Sequence, residues 1–106
     1  HEKRKLVDSL SHLTSVGYLK GGDSREREGL PCCHDIKVIT NLCVFGFHED
    51  RSINVESIHP GGSVEEVLEN TGISLHIDEG IATTAEPREE ELRLLRTKID
   101  PKRLYL

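Results

Sequence analysis

The chain has 106 residues, room for one domain or a piece of one. It carries 14 Lys and Arg against 19 Asp and Glu, a net charge of −5, so nucleic acid and anionic membrane surfaces are not expected partners. Leu, Ile, Val and Phe make up about 28% of it, above the roughly 20% below which chains stay disordered, so a thin core is expected. No apolar run approaches the roughly 18 residues of a membrane span, and no apolar stretch follows the charged N-terminus as in a signal peptide. Three cysteines, two of them adjacent, are no disulfide framework and suit a reducing cytoplasm. The chain starts at His1 and contains no Met, which points to the C-terminal piece of a longer protein; trimming or a tag scar is the plainer alternative.

Leu6, Val7 and Leu10 suggest a helical turn or two. Residues 13–18 (LTSVGY) suggest a short strand ending at Gly17, and residues 20–29 (KGGDSREREG) a solvated loop. Residues 36–45 (IKVITNLCVF) are the strongest element. Ile36, Val38, Leu42 and Val44 share one face; Ile39, Cys43 and Phe45 share the other, continued by Phe47. Both faces are apolar, so a central strand covered on both sides is expected. Residues 48–52 form a polar turn, and residues 53–58 (INVESI) return as the second strand of a hairpin that ends at His59-Pro60-Gly61-Gly62.

Residues 63–70 read as a short helix. Ser63 with Glu66 is a capping box, Val64, Val67 and Leu68 share a face, and Gly72 is placed to take a left-handed C-terminal position. Residues 73–77 (ISLHI) alternate as a brief strand, and residues 78–85 are a loop. Residues 87–99 form the best helix. Pro87 suits its first turn, Glu89, Glu90 and Glu91 its positive end, Arg96 and Lys98 its negative end, and Leu92, Leu95 and Ile99 its apolar stripe, widened by Leu94. Asp100-Pro101 stops it, and the apolar Leu104, Tyr105 and Leu106 are expected to dock on something. The sum is an α/β or α+β piece whose two helices are too few to cover the central strand.

No active site emerges from spacing. Cys32, Cys33, His34, Cys43 and His48 lie close together, but adjacent cysteines do not easily direct two thiolates at one ion, so free thiols are expected rather than a metal site. Cys33 and His34 are sequence neighbours, which does not make a catalytic dyad. His12, His59 and His76 sit in or beside strands and read as satisfied polar residues. The acidic runs EEVLE and REEEL fall at helix N-termini, where solvated acids belong. Gly21-Gly22 and Gly61-Gly62 lack a phosphate-loop pattern, and Arg25 and Arg27 read as loop residues.

Four stretches in order resemble one family. HEKRKLVDSLSHLTSVGYL, KVITNLCVFGF, ESIHPGGSVEEVLENTGISL and EPREEELRLLRTKIDPKRLYL are similar to the middle and C-terminal part of family I CoA-transferase β-subunits of the glutaconate CoA-transferase type. The set covers nearly the whole chain. Gly62, Ile73 and the Cys32-Cys33-His34 loop depart from the family pattern. The resemblance implies a three-layer α/β/α fold like that of ribose-5-phosphate isomerase, an α-subunit partner, and coenzyme A as the acyl-CoA substrate, with no metal. It implies transfer of coenzyme A between an acyl-CoA and a carboxylate through a glutamyl thioester, helped by backbone N–H groups at the oxyanion. The nucleophilic glutamate lies in a Gly-rich turn of the family's N-terminal half. No catalytic residue is carried over: Glu56, Glu65 and Glu69 stand in hairpin and helix-surface contexts. The chain alone is expected to be inactive. A related branch instead hydrolyses or opens rings of CoA thioesters in steroid degradation, without the glutamyl intermediate. The rivals are that hydrolase and a non-catalytic module that binds a subunit or a second copy of itself; a metal-binding domain is a third reading.

Overall fold

The computed structural model describes residues 1–31 and 36–105. Its centre is a four-stranded sheet in the order β1 (Val38–Ile39), β2 (Cys43–Phe47), β3 (Ile53–Ile58), β4 (Ala82–Thr83). The first three strands are antiparallel neighbours, and β4 runs parallel to β3. Helix α1 (Ser24–Arg27) precedes the sheet. Helix α2 (Val64–Glu69) lies between β3 and β4, and α3 (Glu89–Leu94) continues into a π-helical turn, Leu95–Ile99.

The expected single strand over residues 36–45 is two strands: β2 is a central strand of the sheet, as expected, but residues 38–39 form a separate neighbour. Thr40 breaks the run. Its hydroxyl oxygen accepts the N–H groups of Leu42 and Cys43 at 3.1 and 3.0 Å, and its own N–H donates to the Cys43 carbonyl at 3.0 Å. This side-chain bonding competes with strand pairing and folds the chain back. β1 therefore becomes an edge strand, with Ile39 73% exposed.

The second hairpin forms as expected. His48 N–H donates to the Ser52 carbonyl, and the Asp50 carboxylate holds the Ser52 N–H and hydroxyl. Those two bonds hold the Asp50 carboxyl below its ordinary pKa. The register skips Glu56: Val44 faces Ser57, and Phe45 faces Val55. Glu56 is thus the extra residue of a β-bulge, which re-aims its side chain. It reaches over Gly46 to pair with Lys37.

Helix α2 starts as its sequence signals. The Ser63 hydroxyl accepts the Glu66 N–H at 3.2 Å. Val67 on its inner face is fully buried, whereas Leu68 is 44% exposed. Gly72 does not take a left-handed conformation; it is needed for another reason. It bridges Val7 in a parallel pairing and donates its N–H to the Leu6 carbonyl at 2.8 Å. The N-terminal segment is held by that bridge and is turn rather than helix.

Four other expectations are corrected. Residues 13–18 form no strand: Gly17 is left-handed, and Tyr18 turns its ring edge-on to Phe47 at 4.9 Å. The loop over residues 20–29 contains α1, braced by Arg25 on the carbonyls of Gly17 and Pro31. Residues 73–77 make only an isolated bridge from His76 to Asn54, while the expected loop over 78–85 supplies β4.

Residues 89–99 are helical, and Pro87 precedes the N-cap instead of opening the first turn. Arg88 is the cap, and its N–H donates to the Glu91 carboxylate at 2.9 Å. Bonds from the Arg88 side chain and backbone hold the Glu91 carboxyl below its ordinary pKa.

The core consists of Cys43, Phe45, Val55, Ile58 and Val67, flanked by half-buried residues such as Leu6, Leu42, Leu75 and Ile81. One side of β2 and β3 thus packs on α2 and on the segment that follows it. Leu104 and Tyr105 remain 71% and 87% exposed, so the expected docking of the tail is not met within this chain; Leu106 lies outside the described residues.

Candidate functional site

The strands β3 and β4 are parallel, and α2 leaves directly after β3. In α/β sheets the crevice beyond the carboxyl ends of such strands is where ligands bind. Here that position holds an open groove of about 550 Å³, bordered by His59, Gly61, Ser63, Asp78, Glu79 and Thr83. Gly61 has φ +86°, which lets the His59-Pro60-Gly61-Gly62 turn swing from strand to helix.

A hydrogen-bonded chain lies beside the groove. His59 Nε2 is 2.9 Å from the Thr40 carbonyl oxygen, and Nδ1 is 2.9 Å from Thr84 Oγ1. A carbonyl only accepts, so Nε2 carries the proton. In neutral His59, Nδ1 then accepts from the Thr84 hydroxyl. Thr84 Oγ1 in turn accepts from Ser57 Oγ, 2.7 Å away. The direction of each bond is fixed by the carbonyl at one end. His59 ties the β1–β2 turn, the end of β3 and the residue after β4 together. Both ring nitrogens are engaged, so His59 acts here as a strut.

A second cluster sits on the other side of Thr40. The Thr71 hydroxyl donates to the Val67 carbonyl at 2.6 Å, so it accepts from His1 Nε2 at 2.8 Å. His1 Nδ1 is 3.1 Å from Thr40 Oγ1 and 3.8 Å from Cys43 Sγ. The imidazole ring lies 5.5 Å from the Phe45 ring. A histidine beside a cysteine invites a nucleophilic reading, but the environment opposes it. Cys43 is fully buried, and burial pushes its thiol pKa up, against the thiolate that attack would need. Iodoacetamide at mildly alkaline pH is therefore expected to leave Cys43 unmodified in the folded chain and to label it once urea unfolds it; peptide mass spectrometry reads both states. Labelling of Cys43 in the folded state would contradict its burial.

The other candidates are dispersed. Glu56 is half-buried over Gly46, Glu65 and Glu69 lie on the exposed face of α2, and His12 and His76 are exposed. His48 stands exposed at the β2–β3 turn, the opposite end of β3 from His59. Cys32, Cys33 and His34 lie outside the described residues. Among the described residues no group of three or more His, Cys, Asp or Glu is arranged to hold a metal ion, and no helix is long and apolar enough to cross a membrane. Reasoning from sequence passed over the threonines at positions 40, 71 and 84. Thr40-Asn41 between two apolar pairs was the one available signal, since both residues favour turns.

No family model matches the chain. Individual relatives do. It is 42% identical to the B subunit of 3-oxoadipate CoA-transferase from Pseudomonas knackmussii over 88% of this chain and 36% of that protein. It is 32% identical to the cholesterol ring-cleaving hydrolase IpdB subunit of Rhodococcus jostii over 98% of this chain and 41% of that protein. The crystal structure of glutaconate coenzyme A-transferase from Acidaminococcus fermentans superimposes with a TM-score of 0.78 at 34% identity, covering 98% of this chain and 40% of that one. The chain thus spans about two-fifths of the length of the proteins it matches. Identity of this order along nearly every residue, with the same arrangement of sheet and helices, makes the chain a homologue of the CoA-transferase B subunits, with the α/β fold of those proteins.

Proposed function

We propose that this chain supplies the C-terminal α/β part of a CoA-transferase B subunit, acting with an A subunit to move coenzyme A between an acyl-CoA and a carboxylate. The carrying observation is the 42% identity to a 3-oxoadipate CoA-transferase B subunit, sustained over 88% of the chain. In such a transfer a glutamate carboxylate attacks the thioester carbonyl, and the C–S bond breaks to give an acyl–glutamyl anhydride and CoA thiolate. The thiolate then attacks the glutamyl carbonyl, releasing the first carboxylate and leaving a glutamyl–CoA thioester. The acceptor carboxylate reverses these steps. The glutamate belongs to a part of the subunit that this chain does not match. The role of these residues is to build the sheet end and the His59 crevice beside the reacting centre. The site of action is the cytoplasm, where acyl-CoA substrates are held.

The likeness to the cholesterol ring-cleaving hydrolase IpdB subunit supports a second reading, a hydrolase that cleaves a CoA thioester or opens a ring in its acyl group. The readings differ in their products. The protein, isolated with its accompanying subunits, is given an acyl-CoA with a ring in its acyl group and a radiolabelled carboxylate. Transfer converts label into thioester and releases no free thiol. Thioester hydrolysis releases thiol, read with a disulfide reagent, and incorporates no label. Ring hydrolysis adds one water to the acyl-CoA, read by mass, and leaves the thioester intact. None of these products would overturn both enzymatic readings in favour of a non-catalytic subunit-binding module.

A further inference from the structure

Two histidines meet at Thr40, and they differ in what a second proton does to them. His59 donates from Nε2 to the Thr40 carbonyl and accepts at Nδ1 from the Thr84 hydroxyl. When Nδ1 gains a proton, the Thr84 hydroxyl can turn to Ser57 Oγ and its oxygen can accept instead. The chain reverses, and His59 keeps both of its bonds.

His1 has no such freedom. Its ring is half-buried between the β1–β2 turn, the end of α2 and the Phe45 ring. The Thr71 hydroxyl gives its proton to the Val67 carbonyl, so Nε2 carries the imidazole proton. Nδ1 is then an acceptor, 3.1 Å from Thr40 Oγ1. That oxygen already accepts the N–H groups of Leu42 and Cys43, which take up both its lone pairs. It has one proton to offer, either to Nδ1 or to the Cys43 carbonyl 3.0 Å away. A protonated Nδ1 brings a second donor against an oxygen with no lone pair left. Either the ring leaves, or Thr40 gives up a backbone N–H that divides β1 from β2. The count involves only ring atoms and their partners, so residues preceding His1 would leave it unchanged.

The surroundings do not offset this cost. From β2 the ring faces Cys43, Sγ at 3.8 Å, a thiol that burial keeps uncharged. From the β1–β2 turn it faces Thr40, and from the end of α2 Thr71, both uncharged. On its own segment the α-ammonium bonds to Asn41 Oδ1, and Glu2 is paired with Arg4 and Lys5. Among the described residues no carboxylate is bonded to the ring. The Phe45 ring, 5.5 Å away and tilted by 40°, attracts a cation, but less than an unpaired buried N–H costs.

We propose that His1 is a pH-sensitive clasp. Neutral, it pins the N-terminal segment to Thr40 and Thr71 and covers Cys43. Protonated, it swings out and uncovers that side of the core. The bridge from Val7 to Gly72 holds the rest of the segment, so the opening is local. The clasp is complete above the ordinary imidazole pKa of about 6.5 and is lost as the pH falls below it.

The test uses the native protein, isolated with its accompanying subunits. Cys43 is titrated with dithiodipyridine, which reacts with thiols in mild acid, and peptide mass spectrometry locates the label. Its labelling rate, divided by that of glutathione at each pH, is expected to rise at least ten-fold from pH about 8 to pH about 5.5, across the imidazole range. Far-UV circular dichroism should stay constant over that range. His1→Gln, which keeps a neutral donor and acceptor, should remain closed throughout, whereas the exposed His12→Gln should leave the rise intact. Hydrogen exchange at the C2 position of the His1 ring, which follows that ring's titration, should change over the same pH range as the labelling; this comparison decides if the His1→Gln variant is open at every pH. Cys43 as protected at pH about 5.5 as at pH about 8, opening only together with loss of the circular dichroism signal, an unaltered acid response in His1→Gln, or a C2 titration in a different range overturns the proposal.

Discussion

Phe45→Ala is expected to destabilise the chain by about 3–5 kcal/mol, enough to leave it largely unfolded in water. Phe45 is among the largest fully buried side chains, and it stands at the middle of β2 between Val55 on β3 and the His1 ring. The buried apolar set among the described residues is small: Cys43, Phe45, Val55, Ile58 and Val67. Removing its one aromatic leaves a cavity that such a thin core has little neighbouring mass to fill. Since domains retain only about 5–15 kcal/mol in all, and short chains sit at the low end, this single deletion is decisive. Urea unfolding followed by circular dichroism measures it. A midpoint within experimental error of the parent would mean that the sheet is not held by this core.

Gly72→Ala is expected to cost about 1–3 kcal/mol through overpacking. A methyl group there would stand on the Leu6 carbonyl oxygen and 2.7 Å from that of Lys3. Both obstacles are backbone, so neither can swing aside, and the Gly72 N–H bond to Leu6 must lengthen. The N-terminal segment would then lift off, taking His1 from Thr40 and Thr71. Gly46→Ala provides the contrast. The three atoms nearest its methyl would all belong to the Glu56 side chain, whose Cγ is 2.9 Å away. A glutamate can rotate away, so the change should cost less, and adding Glu56→Ala should restore most of the loss. Thermal melts of the three variants separate the two cases. Equal losses at positions 72 and 46 would contradict the close approach of the two backbones at Gly72.

Much of the fold was legible in the sequence because local signals and tertiary packing agreed. The β2–β3 hairpin carries apolar alternation on both sides of a polar turn. Helix α2 carries Ser63 at its cap, and the last helix carries acids at one end, bases at the other and a stop at Asp100-Pro101. The failures have two causes: a local side-chain bond in one case, and a deciding interaction elsewhere in the chain in the others. Both faces of residues 36–45 are apolar, and the Thr40 hydroxyl, bonded two and three residues on, divides them into two strands. β4 is two residues long and exists because β3 offers it an edge. Gly72 looked like a helix terminator, but it serves a contact with residues 65 or more positions away.

The crevice was less legible than the fold. His59 was visible as a residue next to a tight turn. Its partners, Thr84 and the Thr40 carbonyl, carry no spacing signal, because threonines and backbone carbonyls are everywhere. In the described geometry Cys43 is buried, which pushes its thiol pKa up, and His59 is held at both nitrogens. Family resemblance supplied what spacing did not: four stretches in order point to CoA-transferase β-subunits without any geometry.

The most direct measurement is the turnover of the pure 106-residue chain, given an acyl-CoA and a labelled carboxylate acceptor with no other protein present. A chain that contributes only the sheet end and the crevice, with its nucleophile in another part of the subunit, yields neither labelled thioester nor free thiol above the uncatalysed rate. Steady exchange of label into thioester by the pure chain would place the nucleophile among these residues and contradict the account.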